Sequence, residues 1–125
     1  MLNYIQINLG GNVYVENGEF YIAEGGRASL SATKFALAEP GEESEQGIWT
    51  VSYADINDAM YSSSGLSDRG ISIISSSESA DGINYLQTSE SQEGGNYNIK
   101  IWYTYLGQST SVILHVVGVS YPSGI

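Results

Sequence analysis

Apolar and polar residues alternate with a period of two along most of the chain, and helical periodicity is nearly absent. This alternation is typical of β-strands that bury one face. Turn-forming residues separate the segments about every 8–12 residues, which favours an all-β sandwich. The pattern predicts strands at 5–9, 13–15, 20–22, 28–32, 48–53, 71–73, 83–88, 97–105 and 112–117.

The connections between these segments predict how the chain is organised. Asn17-Gly18 stands between β-forming residues and predicts a tight hairpin, because both residues tolerate a positive φ. The stretch 39–45 is acidic and contains Pro and Gly, so it is interpreted as a solvated loop. Residues 54–68 show no period and are expected to form a long connection. We expect one domain, with 1–18 as a strand or arm, 19–117 as the sandwich and 118–125 as a tail.

The charge balance narrows the classes of partner. The 14 acidic residues outnumber the 4 basic ones, which gives a formal net charge of −10. Such a chain is repelled by phosphate backbones, so nucleic acid is not an expected partner. No apolar stretch approaches the ~20 residues of a membrane helix, and membrane insertion is not expected. Only 14% of the residues are charged, a composition typical of exterior proteins rich in Ser, Asn and Gly.

The chain contains no cysteine, which excludes disulfides, thiolate nucleophiles and zinc sites built on Cys. The segment that follows Met1 has neither a basic flank nor an apolar core, so it is not interpreted as a signal peptide. Two interpretations stay open: either a signal has been removed and Met1 is an artificial start, or the protein is used without secretion.

Several short motifs occur in the order found in one family of sandwiches. An acidic-Gly turn at 24–26 precedes the alternating segment 28–32, and Trp49 follows in the next strand. Arg69-Gly70 precedes 71–73, and a spaced set of an acidic, a small, an aromatic and an apolar residue comes later, at Glu93, Gly95, Tyr97 and Ile99. Together with 107–112, this set resembles the immunoglobulin-like fold of the variable or intermediate type over about residues 19–117.

The resemblance implies an antiparallel β-sandwich of seven to nine strands and a structural role for six residues. Ala32 and Ile99 stand at the two positions where the family commonly has its disulfide cysteines, and Trp49 is expected to pack over them. A small residue opposite a larger one can fill the volume of the missing bridge. Tyr97 is expected to fasten the corner before its strand, and Arg69 is expected to form an ion pair with Glu93.

No residue pattern predicts catalysis or a cofactor. His115, the only histidine, lies between apolar neighbours on a predicted strand, and no triad or nucleophile-elbow spacing accompanies it. Asp55 and Asp58 are a weak candidate for a calcium site, since they lack the remaining ligands of a calcium loop. The alternatives are a solvated loop or a helix N-cap by Asp55. We therefore expect a protein that is not an enzyme and that has no cofactor and no established metal site.

Three residues are candidates for contacts with a partner. Trp102 alternates out of phase with the apolar residues of 97–105, so it is predicted either to be an exposed docking anchor or to be covered by an N-terminal strand. Ile5 and Ile7 can belong to an edge strand that adds to a neighbouring molecule. The sandwich's own first strand is the alternative for this segment.

Composition and candidate residues lead to two expectations for function. The first is a structural virion protein, such as a phage capsid decoration, cement or tail-associated protein on the virion surface that docks on other virion proteins. The alternative is a module of a bacterial surface adhesin or receptor, located at the cell surface, that binds proteins or carbohydrates. Formation of a homo-oligomer is open in both.

Overall fold

The computed structural model describes residues 4–35, 47–56, 60–89 and 96–118, and these contain nine β-strands in two sheets. All of the segments that the sequence pattern predicted to be strands are found as strands. They are β1 (Tyr4–Gly11), β2 (Tyr14–Glu16), β3 (Glu19–Ala23), β4 (Arg27–Phe35), β5 (Ile48–Asp55), β6 (Ser72–Ile74), β7 (Asn84–Gln87), β8 (Tyr97–Tyr105) and β9 (Gln108–Val117).

The order of the strands is that of an immunoglobulin-like sandwich. One sheet has four strands in the order β1-β4-β7-β6, and the other has five in the order β2-β3-β9-β8-β5. Neighbouring strands are antiparallel except β3 and β9, which are parallel. The four-stranded sheet and the β5-β8-β9 group correspond to the two sheets of the immunoglobulin fold. The predicted fold class is confirmed.

Two tight hairpins fix the registers of the five-stranded sheet. Asn17 and Gly18 have φ values of 52° and 79°, and Leu106 and Gly107 have φ values of 49° and 76°. Positive φ at both central residues defines the turn whose twist matches that of the flanking strands. The predicted Asn17-Gly18 hairpin is therefore found. The second turn is shorter than the predicted 106–109 turn, because β9 already begins at Gln108.

The core lies between the sheets, and β8 shows the alternation most clearly. Its odd-numbered residues from Tyr97 to Tyr105 are buried and its even-numbered residues are half-buried on the opposite side. The larger group of buried side chains, called the main cluster here, consists of Ile22, Ala28, Leu30, Val51, Ile71, Leu86, Tyr97, Ile99, Ile101, Leu114 and Val116. A second cluster consists of Ile7, Tyr103 and Tyr105.

The residues at the family's cysteine positions are arranged differently from the expectation. Ile99 is fully buried in the main cluster, whereas Ala32 is half-buried and packs against the second cluster. The expected packing of Ala32 against Ile99 is therefore wrong, because the two residues belong to different parts of the core. Ala28 is the alanine of β4 that shares the main cluster with Ile99. Trp49 packs against both clusters, and its ring centre lies 4.5 Å from that of Tyr103.

The N-terminal segment is a strand of the sandwich itself. β1 pairs with β4 over its whole length, from Tyr4 opposite Phe35 to Gly11 opposite Ala28. Ile7 is only 9% exposed and belongs to the second cluster, against which the half-buried Ile5 packs. The prediction that Ile7 contacts a partner is wrong, because its side chain already lies in the core. For Ile5 the contact with a partner stays a prediction.

Candidate functional site

The candidate site is the side of the five-stranded sheet that points away from the core, called the outer face here. Its side chains come from the residues that alternate with the buried ones, such as Asn98, Lys100 and Trp102 of β8. Because β5, β8, β9, β3 and β2 lie next to one another, residues far apart in the chain form rows across this face. Two groups of aromatic residues stand out on it.

The first group surrounds Trp102. Its strand neighbours are Thr50 of β5 and Ser111 of β9. The Lys100 ammonium lies 4.5 Å from the Trp102 ring centre and 5.7 Å from that of Tyr61. Such cation–π contacts are worth about 0.5–1 kcal/mol at exposed sites. Trp102 is half-buried, and the N-terminal strand does not cover it, since β1 belongs to the other sheet. That alternative is wrong, while the role of Trp102 as a docking anchor stays a prediction.

The second group is a row of four side chains across four strands, called the tyrosine–histidine row here. Tyr14 of β2 is opposite Tyr21 of β3, Tyr21 is opposite His115 of β9, and His115 is opposite Asn98 of β8. The ring centres of Tyr14 and Tyr21 are 5.7 Å apart, and those of Tyr21 and His115 are 4.9 Å apart. The parallel pairing of β3 with β9 brings these residues together.

Hydrogen bonds hold the row and the neighbouring Glu19 in place. His115 Nδ1 lies 2.6 Å from Asn98 Oδ1, and His115 Nε2 lies 3.5 Å from Glu19 Oε1. The Tyr21 hydroxyl donates to Glu19 Oε2 at 3.2 Å. Partial burial, together with this bond to the carboxylate, raises the pKa of Tyr21. Both nitrogens of His115 thus face oxygen acceptors, an arrangement suited to binding and positioning.

A groove of about 350 Å³ runs beside the row. Its lining includes Tyr21, His115, Asn98, Asn96 and the exposed Ile56. Asn96 Oδ1 accepts a hydrogen bond from the Gly118 amide at 2.8 Å, which holds this carboxamide against the end of β9. The groove therefore combines aromatic surface with amide and imidazole groups, a composition that suits a polar ligand or a protein loop.

A polar group lies inside the end of the sandwich where β5 finishes. The Arg69 guanidinium donates to Asp55 Oδ1 at 2.8 Å and lies 4.7 Å from the ring centre of Tyr97. Tyr97 is 1% exposed and Glu24 is 5% exposed. Burial, and after it the Glu24 carboxylate, raises the pKa of Tyr97 to about 12 against the opposing effect of Arg69. The Tyr97 hydroxyl and both Glu24 carboxylate oxygens are buried without a hydrogen bond among the described residues.

Two of the residues predicted for this end of the sandwich lie outside the described residues, namely Glu93 and Asp58. The Arg69–Glu93 ion pair and the Asp55–Asp58 metal site therefore stay predictions. Asp55 is the last residue of β5 and bonds to Arg69. A helix that it caps would continue into residues outside the described ranges, so this alternative also stays a prediction. Within the described ranges no group of three or more His, Asp or Glu is placed to hold a metal ion.

Sequence reasoning missed the tyrosine–histidine row and the buried Glu24. Alternation could place Tyr21, Asn98 and His115 on one side of their strands, but it could not show that β3 and β9 are neighbours. Among the described residues, none forms a helix of the length and apolar character needed to cross a membrane.

No family model matches the chain, and no curated protein matches it. One solved structure that it resembles is a chimeric titin Z1Z2 tandem carrying an exogenous peptide from fibronectin. The sequences are 15% identical, the match covers 89% of this chain, and the TM-score is 0.36. The match spans 48% of the titin chain, so this chain is about half as long as the solved one.

Proposed function

We propose that the protein is a non-enzymatic interaction protein that docks on other proteins through the outer face of its five-stranded sheet. The observation that carries the proposal is the position of Trp102 on this face, in the middle of β8, with Lys100 over its ring. Tryptophan is enriched among the residues that dominate binding energy at interfaces, and Tyr61 extends the same aromatic surface. Thr50 and Ser111 on the neighbouring strands place polar groups around Trp102, as at the rim of docking surfaces.

The setting we propose is a virion, where the protein decorates a capsid or belongs to a tail. Three features support this setting: a domain that needs no disulfide, a surface rich in Ser, Asn and Gly, and a large negative charge that limits unspecific binding to nucleic acid. A virion protein folds in a reducing compartment and then works outside the cell, which agrees with the absence of cysteine.

The alternative is a module of a bacterial surface protein that binds carbohydrate. The groove beside the tyrosine–histidine row favours it, because Tyr21 offers an aromatic surface and Asn98 and His115 offer hydrogen-bonding groups. These are the chemical groups that a site for sugar hydroxyls requires. In this case the protein is found on the cell envelope and is absent from virus particles.

Trp102→Ala tests the docking surface. The gene with this substitution replaces the original one, and purified particles are analysed for the protein by quantitative mass spectrometry. We expect the incorporated amount to fall by about tenfold or more, since removal of a central Trp from an interface costs about 2 kcal/mol. The isolated variant is expected to lose only about 1 kcal/mol of unfolding free energy, because Trp102 is half-buried.

Tyr85→Ala provides the matched control. Tyr85 lies on the four-stranded sheet, and the Arg27 guanidinium is 5.0 Å from its ring centre, so this variant also removes an aromatic ring beside a cation. It is expected to leave incorporation unchanged. Normal incorporation of Trp102→Ala contradicts the docking surface, as does its unfolding. Absence of the wild-type protein from particles contradicts the virion setting and favours the alternative.

A further inference from the structure

Among the described residues, the edge of β5 is unpaired except at Tyr53. β5 is the outermost strand of the five-stranded sheet and spans Ile48–Asp55. On its inner side it pairs with β8 over its whole length. Edges in monomeric proteins are normally protected by Lys, Pro, a bulge or a covering segment. The stretch from Ile48 to Ala54 contains no charged residue and no proline.

The backbone of this edge has a defined set of free hydrogen-bonding groups. Tyr53 directs its N–H and C=O away from β8, since both bond to Ser62, at 2.9 Å and 2.8 Å. In an antiparallel ladder this direction repeats at every second residue, so Val51 and Trp49 also direct their N–H and C=O outward. For these two residues, no partner on that side occurs within the described ranges.

Large apolar side chains mark both ends of the same edge. Ile48 is 64% exposed and Ile56 is 56% exposed, and Met60 follows close to Ile56 in the chain. The other strand edges differ. β2 and β6 are only three residues long. No side chain of β1 that the structure describes is among the exposed large apolar residues. An uncharged edge flanked by exposed apolar residues is a template for pairing with another strand.

We propose that two copies of this chain associate through their β5 edges, in an antiparallel pair centred on Thr50. In this register Trp49 of each copy is opposite Val51 of the other. Both residues exchange N–H···O=C bonds, which gives four backbone hydrogen bonds across a two-fold axis. The outward N–H and C=O of Tyr53 already bond to Ser62, which limits the stretch that can pair with a second copy to Ile48–Ser52.

The sequence of the edge favours a second copy as the occupant. The chain carries a net charge of −10, so most of its surface repels another copy. The stretch Ile48–Ser52 is neutral, and self-pairing there places Thr50 opposite Thr50 and Ile48 opposite Ser52, without opposing charges. Cross-strand pairs of Thr are favourable in antiparallel sheets. Thr50 lies next to Trp102, but the pairing uses the outward backbone groups of Trp49 and Val51, so the proposal does not depend on the proposed docking function.

Thr50→Cys tests the geometry directly, because the natural chain has no cysteine. Thr50 points its backbone groups toward β8, so the Thr50–Thr50 pair is of the non-hydrogen-bonded type, with about 4.5 Å between the Cα atoms. This separation is within the range for a disulfide. We expect Thr50→Cys to form a covalent dimer in a glutathione redox buffer. Ser111→Cys, exposed on the same face but two strands from the edge, is expected to remain monomeric.

Thr50→Lys tests the association without a covalent bond. Sedimentation equilibrium from about 10 μM to about 1 mM is expected to show a monomer–dimer equilibrium for the wild type. Two opposed lysines at the two-fold axis are expected to weaken it by about tenfold or more. Ser111→Lys and Trp102→Ala are expected to dimerise like the wild type.

Three results would overturn the proposal. They are a wild-type protein that stays monomeric throughout the concentration range, a Thr50→Lys variant that associates normally, and Ser111→Cys cross-linking as fast as Thr50→Cys. If the wild type stays monomeric, the partner of the β5 edge would be an extended segment of a different protein. Thr50 is exposed, so an unchanged melting temperature in Thr50→Lys is the check that the fold is intact.

Discussion

At the scale of single residues, the hydroxyl of Tyr97 is a buried polar group. It has no hydrogen-bond partner among the described residues, although its ring packs in the main cluster. The resemblance to the immunoglobulin-like fold implies that this tyrosine fastens the corner before β8. In this chain the contacts of Tyr97 are made by its ring, which packs in the core and against the Arg69 guanidinium.

Tyr97→Phe is therefore expected to raise the free energy of unfolding by about 1 kcal/mol at pH 7, because the variant removes an unpaired buried oxygen. Urea unfolding measures the change. Tyr85→Phe serves as the control, since the Tyr85 hydroxyl donates to Asp81 and its loss is expected to lower stability slightly. A lower stability of Tyr97→Phe would show that the hydroxyl is bonded in solution.

Tyr97 also makes the stability of the protein depend on pH. The pKa of Tyr97 is about 12 in the folded protein against an ordinary value of 10.0, so the unfolded chain loses this proton first as the pH rises. Stability is therefore expected to be complete below about pH 10 and to fall by about 2–3 kcal/mol toward pH 12. Tyr97→Phe lacks this contribution. Parallel stability curves for the wild type and Tyr97→Phe between pH 9 and pH 12 would contradict this contribution of Tyr97.

At the scale of single elements, the turns depend on the conformational freedom of glycine to different degrees. Gly18 and Gly70 both have φ of +79°. A Cβ at Gly18 has open space around it, whereas a Cβ at Gly70 would meet the Ser89 side chain. Gly70 also accepts a hydrogen bond from Ser89 Oγ at 3.1 Å, which connects the start of β6 with the residues after β7.

Gly18→Ala is expected to cost about 1 kcal/mol of unfolding free energy, from the positive φ alone. Gly70→Ala is expected to cost more, about 2–3 kcal/mol, because the steric conflict adds to the same backbone strain. Thermal and urea unfolding measure both variants. The double variant Gly70→Ala/Ser89→Gly should recover part of the difference. Equal costs for the two single variants would show that Ser89 moves aside freely.

The elements themselves were largely predictable from the sequence. Alternation identified β8 because its buried residues are Tyr and Ile and its outward residues are Asn, Lys, Trp and Thr. Asn17-Gly18 predicted its hairpin because the backbone angles that this turn needs are available to these residues. Local physical chemistry determines both features. The position of a strand within a sheet is not local, which is why the parallel β3–β9 pair was missed.

In the candidate site, too, local features were predictable from the sequence and strand neighbours were not. The outward direction of Trp102 followed from its phase in β8, while the neighbours of His115 depend on pairing between residues 94 apart, as in Tyr21 and His115. Ile7 was misjudged for a related reason: its alternation was read correctly, but the sequence could not show that Tyr103 and Tyr105 would cover it. Adjacency across the sandwich is a property of the complete fold.

At the scale of the whole molecule, the balance of charge acts against compactness. Each of the 4 basic residues lies over an aromatic ring, in the pairs Arg27–Tyr85, Lys34–Tyr105, Arg69–Tyr97 and Lys100–Trp102. Within the described residues, Arg69 is the one of these four that also forms an ion pair with a carboxylate, that of Asp55. The 14 acidic groups thus far outnumber the cations able to offset them.

Salt is therefore expected to stabilise the protein. Raising NaCl from about 0.05 M to about 1 M shortens the Debye length from more than 10 Å to about 3 Å and screens the mutual repulsion of the carboxylates. We expect the melting temperature at pH 7 to rise, as followed by circular dichroism in dilute protein. Near pH 3, where carboxylates are largely protonated, the increase is expected to be much smaller. A melting temperature at pH 7 that falls with NaCl would mean that attractive charge pairs dominate.

The position of β9 has a consequence for how the molecule is made. β9 is the last strand that the structure describes, yet it lies in the middle of the five-stranded sheet and alone joins the β2–β3 hairpin to β8 and β5. On the ribosome, this sheet therefore exists as two separate pieces until residues 108–117 have left the exit tunnel. The sandwich can close only after β9 has been synthesised, so translation that stops before β9 yields a product without a sandwich rather than a smaller one.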